Sequence, residues 1–308
     1  MPTQTVDPLP DLIRTLRSRA ITERIRAARD LGRLGALARD ALSTLVGLLR
    51  DEDAKVREAA AQAVGQMGSA ALPALSGMLA HSDKYVRRHA IWAIGKLGPH
   101  AKATLPTLCR SLKDADPRTA SGAAQAIGSM GPAAAEAIPA LTEAMRGTNI
   151  VLCRLAGKAL SQIGTPAVPQ LIAHLQHTDP FVRGEAALAV GWIGSSARSA
   201  IPYLAQLVRG KKTRTLRDTP APCGSLERFA KSEKPDAGSG TLTPLANSAS
   251  SCESPTPEET CRVYSAQALG RMGVEAAEAV ADLRIAERTG TDALRQAAQQ
   301  AIRLIQGD

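Results

Sequence analysis

The feature that most constrains this chain is a pattern of thirteen residues that recurs along its length. It is clearest in VREAAAQAVGQMG, VRRHAIWAIGKLG, VRGEAALAVGWIG and CRVYSAQALGRMG, which end at Gly68, Gly98, Gly194 and Gly273. Looser copies end at Gly35, Gly131, Gly164 and Gln306. The closing residues lie 30 or 33 positions apart, except for one gap of 79. A repeat of this period predicts a stack of similar units rather than one globular core.

Each copy has the spacing of an amphipathic helix. Numbered back from the closing residue, positions −12, −8, −5, −4 and −1 are mostly apolar, and they share one helical face. Position −5 is alanine in every copy but the first, which has Asp30. Position −3 is glycine in six of the eight copies. Because glycine inside a helix costs about 1 kcal/mol relative to alanine, we expect a neighbouring helix to approach closely at this position.

A second, shorter helix is predicted before each of these. Six segments open on a proline, which fits the first turn of a helix because its missing N–H has no partner there. These prolines are Pro10, Pro73, Pro106, Pro139, Pro169 and Pro202. The repeating unit is therefore helix A, a short turn and helix B. One pair cannot bury its own apolar face, so we expect about eight pairs stacked into an elongated all-α protein.

These residues resemble the HEAT-repeat family, in particular the short HEAT-like repeats of phycobilin lyases and related proteins. The resemblance rests on the proline-opened helix A, the step D-x-x-V-R and the helix ending A-x-x-A-[LIV]-G-x-[LIM]-G. It implies a right-handed α-solenoid, and it does not by itself specify a function. It also implies hydrogen bonds between adjacent repeats from the residues of the D-x-x-V-R step. The residues with this structural role are Asp53, Arg57, Asp83, Arg87, Asp179 and Arg183.

The gap of 79 residues divides the chain. Residues 1–210 hold six repeats and the first helix of the seventh, and residues 259–308 hold its second helix and the eighth repeat. Residues 211–258 are rich in Ser, Thr, Pro and Gly and show no helical period. We expect this insert to be a disordered, flexible loop that is dispensable for folding, because loop closure becomes only slowly more costly with length. The alternative is a phosphorylation or docking segment around Ser254 and Thr256, each of which precedes a proline.

Several kinds of site and location are disfavoured by the sequence. It contains no apolar run of membrane-spanning length and no N-terminal apolar segment of the kind found in signal peptides. The five cysteines show no C-x-x-C spacing. HEAT-like deoxyhypusine hydroxylases hold iron with His-Glu pairs, and no such pair occurs here. We therefore predict no metal, no cofactor and no catalytic residue, and we expect a monomeric binding protein of the cytoplasm.

One face of the B helices carries most of the charge imbalance. Positions −13, −9, −6 and −2 lie about 110° from the apolar stripe, and the HEAT resemblance implies that they face the concave surface. Of these 32 residues, eight are basic and one is acidic, and the net charge of the whole chain is +9. Five of the seven aromatic residues lie there too. The candidate partner-binding residues are Arg26, Arg29, Arg33, Lys55, Tyr85, His89, Trp92, Lys96, Arg118, Lys158, Phe181, Glu185, Trp192, Tyr264 and Arg271.

Three functions are compatible with such a face. Trp, Tyr and Arg are enriched in binding hot spots, so the first hypothesis is a non-catalytic scaffold that holds an acidic or extended protein segment. The second, which the resemblance implies, is a lyase-like or chaperone-like activity on a tetrapyrrole protein. The third is nucleic-acid binding or a HEAT-like DNA glycosylase, for which Glu185 between Phe181 and Trp192 is the candidate residue. Alternatively, the tryptophans only cover alanine-rich seams between helices.

Overall fold

The computed structural model describes residues 8–210 and 255–307, and within these ranges the chain forms sixteen α-helices and no β-strand. The A helices are Leu9–Thr15 (α1), Leu42–Gly47 (α3), Leu72–Met78 (α5), Leu105–Ser111 (α7), Ile138–Met145 (α9), Val168–Leu175 (α11), Ile201–Val208 (α13) and Val280–Thr289 (α15). The B helices are Ile21–Leu34 (α2), Ala54–Gln66 (α4), Lys84–Leu97 (α6), Pro117–Ser129 (α8), Ile150–Ile163 (α10), Pro180–Ile193 (α12), Pro257–Met272 (α14) and Asp292–Gln306 (α16).

The two kinds of helix alternate as eight pairs, which confirms the predicted all-α repeat architecture. A 3₁₀ turn connects each B helix to the next A helix. The right-handed sense of the stack stays a prediction. Most of the predicted insert, residues 211–254, lies outside the described residues, and α14 already begins at Pro257.

The residues that begin and end the B helices explain two of the recurring motifs. Asp53, Asp83 and Asp179 precede α4, α6 and α12, and each carboxylate accepts a hydrogen bond from a backbone N–H of the first turn. These aspartates therefore cap their own helices, and within the part of the chain that the structure describes none of them forms a hydrogen bond with an adjacent repeat, in contrast to the prediction. At the other end, Gly98 and Gly194 have φ values of 53° and 71°. Glycine adopts this left-handed conformation without the steric cost that a side chain adds.

Two of the recurring arginines, Arg87 and Arg183, form hydrogen bonds with the next repeat. Arg87 donates to two carbonyl oxygens of its own A–B turn, and its guanidinium binds both oxygens of Asp114 in the next repeat at 2.8 Å. Arg183 makes the same turn contacts and reaches Glu258. Arg57 also binds two carbonyl oxygens of its own turn. A bidentate guanidinium fixes both position and orientation, so Arg87 sets how its repeat meets the next one.

Successive B helices run side by side in the same direction. A Cβ atom on Gly191, at position −3, would lie 2.9 Å from the Cα of Ala268, at position −5 of the following B helix. Near the other end of the same pair of helices, a Cβ on Gly184 would lie 3.6 Å from the Cα of Cys261. The predicted close approach at position −3 is therefore confirmed, and its partner is the recurring alanine.

The apolar stripes of all helices merge into one continuous core. Position −4 is fully buried in the first four B helices, at Leu31, Val64, Ile94 and Ile127. Among the described helices, none combines the length and hydropathy that crossing a bilayer requires. The opposite side of the B helices stays in solvent, and this side carries the residues considered next.

Candidate functional site

The candidate site is the solvent side of the B-helix layer, formed by positions −13, −9, −6 and −2 of the even-numbered helices. We call it the B face. Tyr85, Trp92 and Trp192 lie on it and are 45%, 38% and 44% exposed, so the predicted accessibility of the tryptophans is confirmed. Phe181 and Tyr264 are half-buried and pack against the core. The large exposed rings are therefore on α6 and α12.

Cations surround the two exposed rings of α6. The guanidinium carbons of Arg57 and Arg88 each lie 5.3 Å from the centre of the Tyr85 ring, and Lys84 Nζ lies 5.4 Å from it. Lys96 Nζ lies 5.0 Å from the centre of the Trp92 ring. These distances are within the range of attractive cation–π contacts. The positive charge of this region is thus held against its aromatic surface.

Two neighbouring groups on α6 contribute less charge than the sequence suggests. Arg88 donates two hydrogen bonds, of 2.8 and 2.6 Å, to the carboxylate of Asp116, which neutralises it. This guanidinium holds the pKa of Asp116 well below its usual range. Burial, together with the nearby Arg57 and Arg88, lowers the pKa of His89 to about 4. The imidazole of His89 is therefore neutral at pH 7.

A pocket of about 580 Å³ opens on the B face between α6 and α8. Gly122, at position −9 of α8, is part of its lining, whereas every other B helix has a side chain at that position. The buried Ile91 and the exposed Trp92 line it. Because the B helices are parallel, Arg118 at position −13 and Lys96 at position −2 lie at opposite ends of this pocket.

The charge of the pocket is positive. Lys96 and Arg118 form no ion pair with any residue that the structure describes. Glu58 is the one carboxylate among the described residues that line the pocket. An anionic ligand therefore meets two cations without an ion-pair partner, Lys96 and Arg118, and one carboxylate, Glu58 of α4.

A second concentration of positive charge lies on α2. Arg26, Arg29 and Arg33 are exposed there, and Asp30 is 3.9 Å from Arg26 and 3.6 Å from Arg33. A smaller recess of about 120 Å³ lies between α2 and α4, lined in part by Arg29 and Arg33. The remaining basic residues are exposed singly on other B helices: Lys55, Lys158 and Arg271. The B face is thus most basic over its first four repeats.

Glu185 does not lie on the exposed surface where the helical spacing predicts it. Its side chain is 1% exposed, and one carboxylate oxygen accepts a hydrogen bond of 3.1 Å from Arg154. Burial raises the pKa of Glu185, and the interaction with Arg154 opposes this effect. Its partner Arg154 comes from the preceding B helix, α10. Glu185 is therefore not part of the exposed surface of the B face.

Sequence reasoning missed two residues that shape the site. Arg88 lies at position −10, which is next to the predicted face but not part of it. Gly122 was not among the candidates because it has no side chain that could bind a partner. The sequence does show that Gly122 is the one glycine at position −9 among the eight copies, and this difference could have predicted an opening in the B face. Within the described residues, no cluster of His, Cys, Asp and Glu could hold a metal ion. Burial raises the pKa of the Cys261 thiol to about 11, so it is protonated at neutral pH.

Comparison with known proteins supports the repeat architecture. The family profile described as HEAT repeats matches residues 9–82, 72–154 and 138–219. No curated protein matches the chain in sequence.

Solved structures with a similar fold include several helical repeat proteins. The YibA protein of Escherichia coli is 16% identical, with 97% of this chain and 92% of that chain covered and a TM-score of 0.48. The complex of CpcE and CpcF of phycocyanin lyase from Nostoc sp. PCC7120 is 22% identical, with 70% and 93% covered and a TM-score of 0.41. Human deoxyhypusine hydroxylase in complex with glycerol is 18% identical, with 97% and 96% covered and a TM-score of 0.36. At these values the similarities carry no information about function.

Proposed function

Because the chain belongs to the family of HEAT-repeat proteins, we propose that it is a non-catalytic scaffold whose B face binds an extended, acidic segment of a protein partner. The observation that carries this proposal is the coincidence of exposed rings and surplus positive charge. Tyr85, Trp92 and Trp192 are exposed on the same face that holds the unpaired Lys96 and Arg118. Large exposed aromatic residues beside cations are typical of binding hot spots.

The packing of the layers favours an extended partner. Neighbouring B helices contact each other along their length, whereas neighbouring A helices touch at few points. The more closely spaced layer of a stack lies on the inside of its curve, so the B face would form a shallow trough that crosses many repeats. A chain in extended conformation can contact successive repeats of such a surface.

The sign of the charge favours an acidic partner. Arg26, Arg29 and Arg33 at one end of the trough and Arg118 near its middle face solvent, and the single acidic side chain predicted for this face is buried. Opposite charges on a partner would speed its association and select against basic segments. Binding should weaken as salt is added, because screening acts on exposed charges.

The double variant Trp92→Ala/Trp192→Ala tests this proposal. We expect partner capture to fall by about 2 kcal/mol or more in affinity, with little change in melting temperature, because both rings are partly in solvent. The matched control is Leu37→Ala/Ile285→Ala, which removes two side chains that are also exposed but lie off the B face. The measurements are thermal unfolding and affinity capture from a lysate treated with nuclease, at low and at high salt.

The result separates the hypotheses. Acidic proteins that are retained after nuclease treatment and lost in the tryptophan variant support the proposal. Capture that disappears with nuclease indicates a nucleic-acid partner instead. A large fall in melting temperature with unchanged capture means that the tryptophans stabilise the helix stack and do not bind.

A further inference from the structure

The pocket between α6 and α8 differs from the cavities beside the arginines of α2 because apolar groups line its centre and a cation lies at each end. We propose that it is the specificity pocket of the scaffold, and that it takes a large apolar side chain of an extended segment with an acidic residue two positions before it and two positions after it. This inference rests on the proposed function and adds the sequence that the partner must carry.

The centre of the pocket is suited to an apolar side chain. Gly122 contributes no side chain there, and the surrounding surface comes from Ile91, Ala126 and the ring of Trp92. A volume of about 580 Å³ admits a leucine or phenylalanine side chain of the partner. Burying such a side chain against an aromatic ring is the kind of contact that anchors peptide recognition.

The two ends of the pocket are suited to carboxylates. Arg118 is at position −13 of α8 and Lys96 at position −2 of the neighbouring α6, so they are about 16 Å apart along the helix axes, and the spacing of the two helices adds to this separation. Neither cation is ion-paired with a described residue, so both are available to a ligand. Arg88, which is near Arg118, is already held by the two oxygens of Asp116. Carboxylates of a ligand would therefore bind at the two ends of the pocket, at Lys96 and Arg118, and not at its centre.

The spacing of the motif follows from these positions. An extended chain rises about 3.3 Å per residue, and alternate side chains point to the same side. Residues two before and two after the central one are thus about 13 Å apart and face the same surface as the central side chain. Side-chain length covers the remaining few ångströms to Lys96 and Arg118. A segment with the acidic residues directly beside the apolar one points them away from the B face.

The test uses the full chain and defined peptides with an N-terminal fluorescein, followed by fluorescence anisotropy. The peptide GESLSEG carries the proposed spacing, and GSELESG has the same composition with the glutamates adjacent to leucine. We expect GESLSEG to bind about tenfold more tightly than either GSELESG or GESASEG, in which alanine replaces leucine. These comparisons need only the wild-type protein, so they hold whatever a substitution does to folding.

The protein-side variant is Gly122→Leu, which fills the pocket without removing a charge. A Cβ at this position would lie 3.4 Å from a methyl group of Ile91, which a small shift accommodates. The matched control is Gly77→Leu, because Gly77 is an exposed helical glycine of α5 with nothing within 4 Å of its Cβ position. We expect Gly122→Leu to lose about tenfold in affinity for GESLSEG and Gly77→Leu to bind as the wild type does, with circular dichroism confirming that both fold.

Three outcomes overturn the inference. If GESLSEG and GSELESG bind equally well and with equal sensitivity to salt, the B face attracts acidic chains but the pocket does not select them. Unchanged affinity in Gly122→Leu leads to the same conclusion. In both cases the scaffold proposal survives. If neither peptide binds and Trp92→Ala/Trp192→Ala still captures the same lysate proteins as the wild type, the scaffold proposal fails as well.

Discussion

At the scale of single residues, the stack is held by a recurring contact between glycine and alanine. Position −3 of one B helix meets position −5 of the next, and a Cβ on Gly32 or Gly270 would lie only 2.9 Å from the Cα of Ala63 or Ala301. The glycines therefore make up for their poor helix propensity by letting two helices approach without an intervening side chain. The approach is not equally tight everywhere, because the same distance at Gly95 is 3.5 Å.

This difference predicts opposite effects for one substitution at two equivalent sites. Gly191→Ala should lower the free energy of unfolding by about 1–3 kcal/mol, since its Cβ would overlap the Ala268 backbone at 2.9 Å. Gly95→Ala should be neutral or raise it by up to about 1 kcal/mol, because the contact there is ordinary and alanine is the better helix former. Urea unfolding followed by circular dichroism measures both. Equal destabilisation in the two variants would mean that the glycines are needed for a reason other than close approach.

At the scale of helices, the A–B turns carry the polar contacts that connect one repeat to the next. Arg88 on α6 holds Asp116, and the same carboxylate caps α8 by accepting from the backbone N–H of Thr119 at 2.8 Å. One side chain thus begins a helix and fixes the neighbouring helix against it. Asp116 is largely shielded from solvent, so the pair is worth more than an ordinary surface ion pair.

The contribution of this pair to stability should depend on pH. Because the folded-state pKa of Asp116 is lowered by Arg88, its stabilisation is fully present above the unfolded pKa of about 3.9 and is lost as pH falls toward the folded pKa. Asp116→Asn keeps an acceptor for the cap and removes the charge. We expect it to be about 2 kcal/mol less stable than the wild type at pH 7, with the difference shrinking below pH 4. Melting temperatures from pH 2.5 to 7 check this, and a difference that is constant over the range would contradict it.

At the scale of the whole molecule, the first and the last B helix that the structure describes carry a charged side chain at a joint position. Position −5 of α2 is Asp30 in place of alanine, and position −3 of α16 is Arg303 in place of glycine. In the inner repeats these positions face the preceding and the following B helix. A charged side chain there opposes the stacking of another B helix, as polar capping repeats do in other solenoids.

Restoring the joint residues should therefore promote end-to-end association. In the double variant Asp30→Ala/Arg303→Gly, α16 of one molecule can approach α2 of another through the same contact that joins α14 to α16. We expect the sedimentation coefficient to rise with protein concentration in the double variant and to stay constant in the wild type. The control Arg303→Ala, which removes the charge but retains a Cβ, should associate less. No concentration dependence in the double variant would show that other features of the end helices prevent stacking.

The repeat period, the number of helix pairs and the solvent side of the B helices follow from the sequence alone. They depend on local patterns that recur eight times, so a deviation in one copy does not obscure the pattern that the other copies share. The accessibility of Trp92 and Trp192 was predictable for the same reason, since a helical position fixes which side of the layer a residue faces.

What the tertiary structure decided is what happens between neighbouring repeats. Position −9 is buried at Glu185 and exposed at Arg26, because the exposure of a residue also depends on the side chains of the flanking helices. The pocket beside Gly122 and the ion pair of Arg88 with Asp116 arise in the same way, because only stacking brings together Ile91 with Gly122, 31 positions apart, and Arg88 with Asp116, 28 positions apart. A helical wheel shows which side of one helix a residue lies on and contains no information about the adjacent helix. The sequence could therefore predict the B face, but it could not predict the pocket within that face.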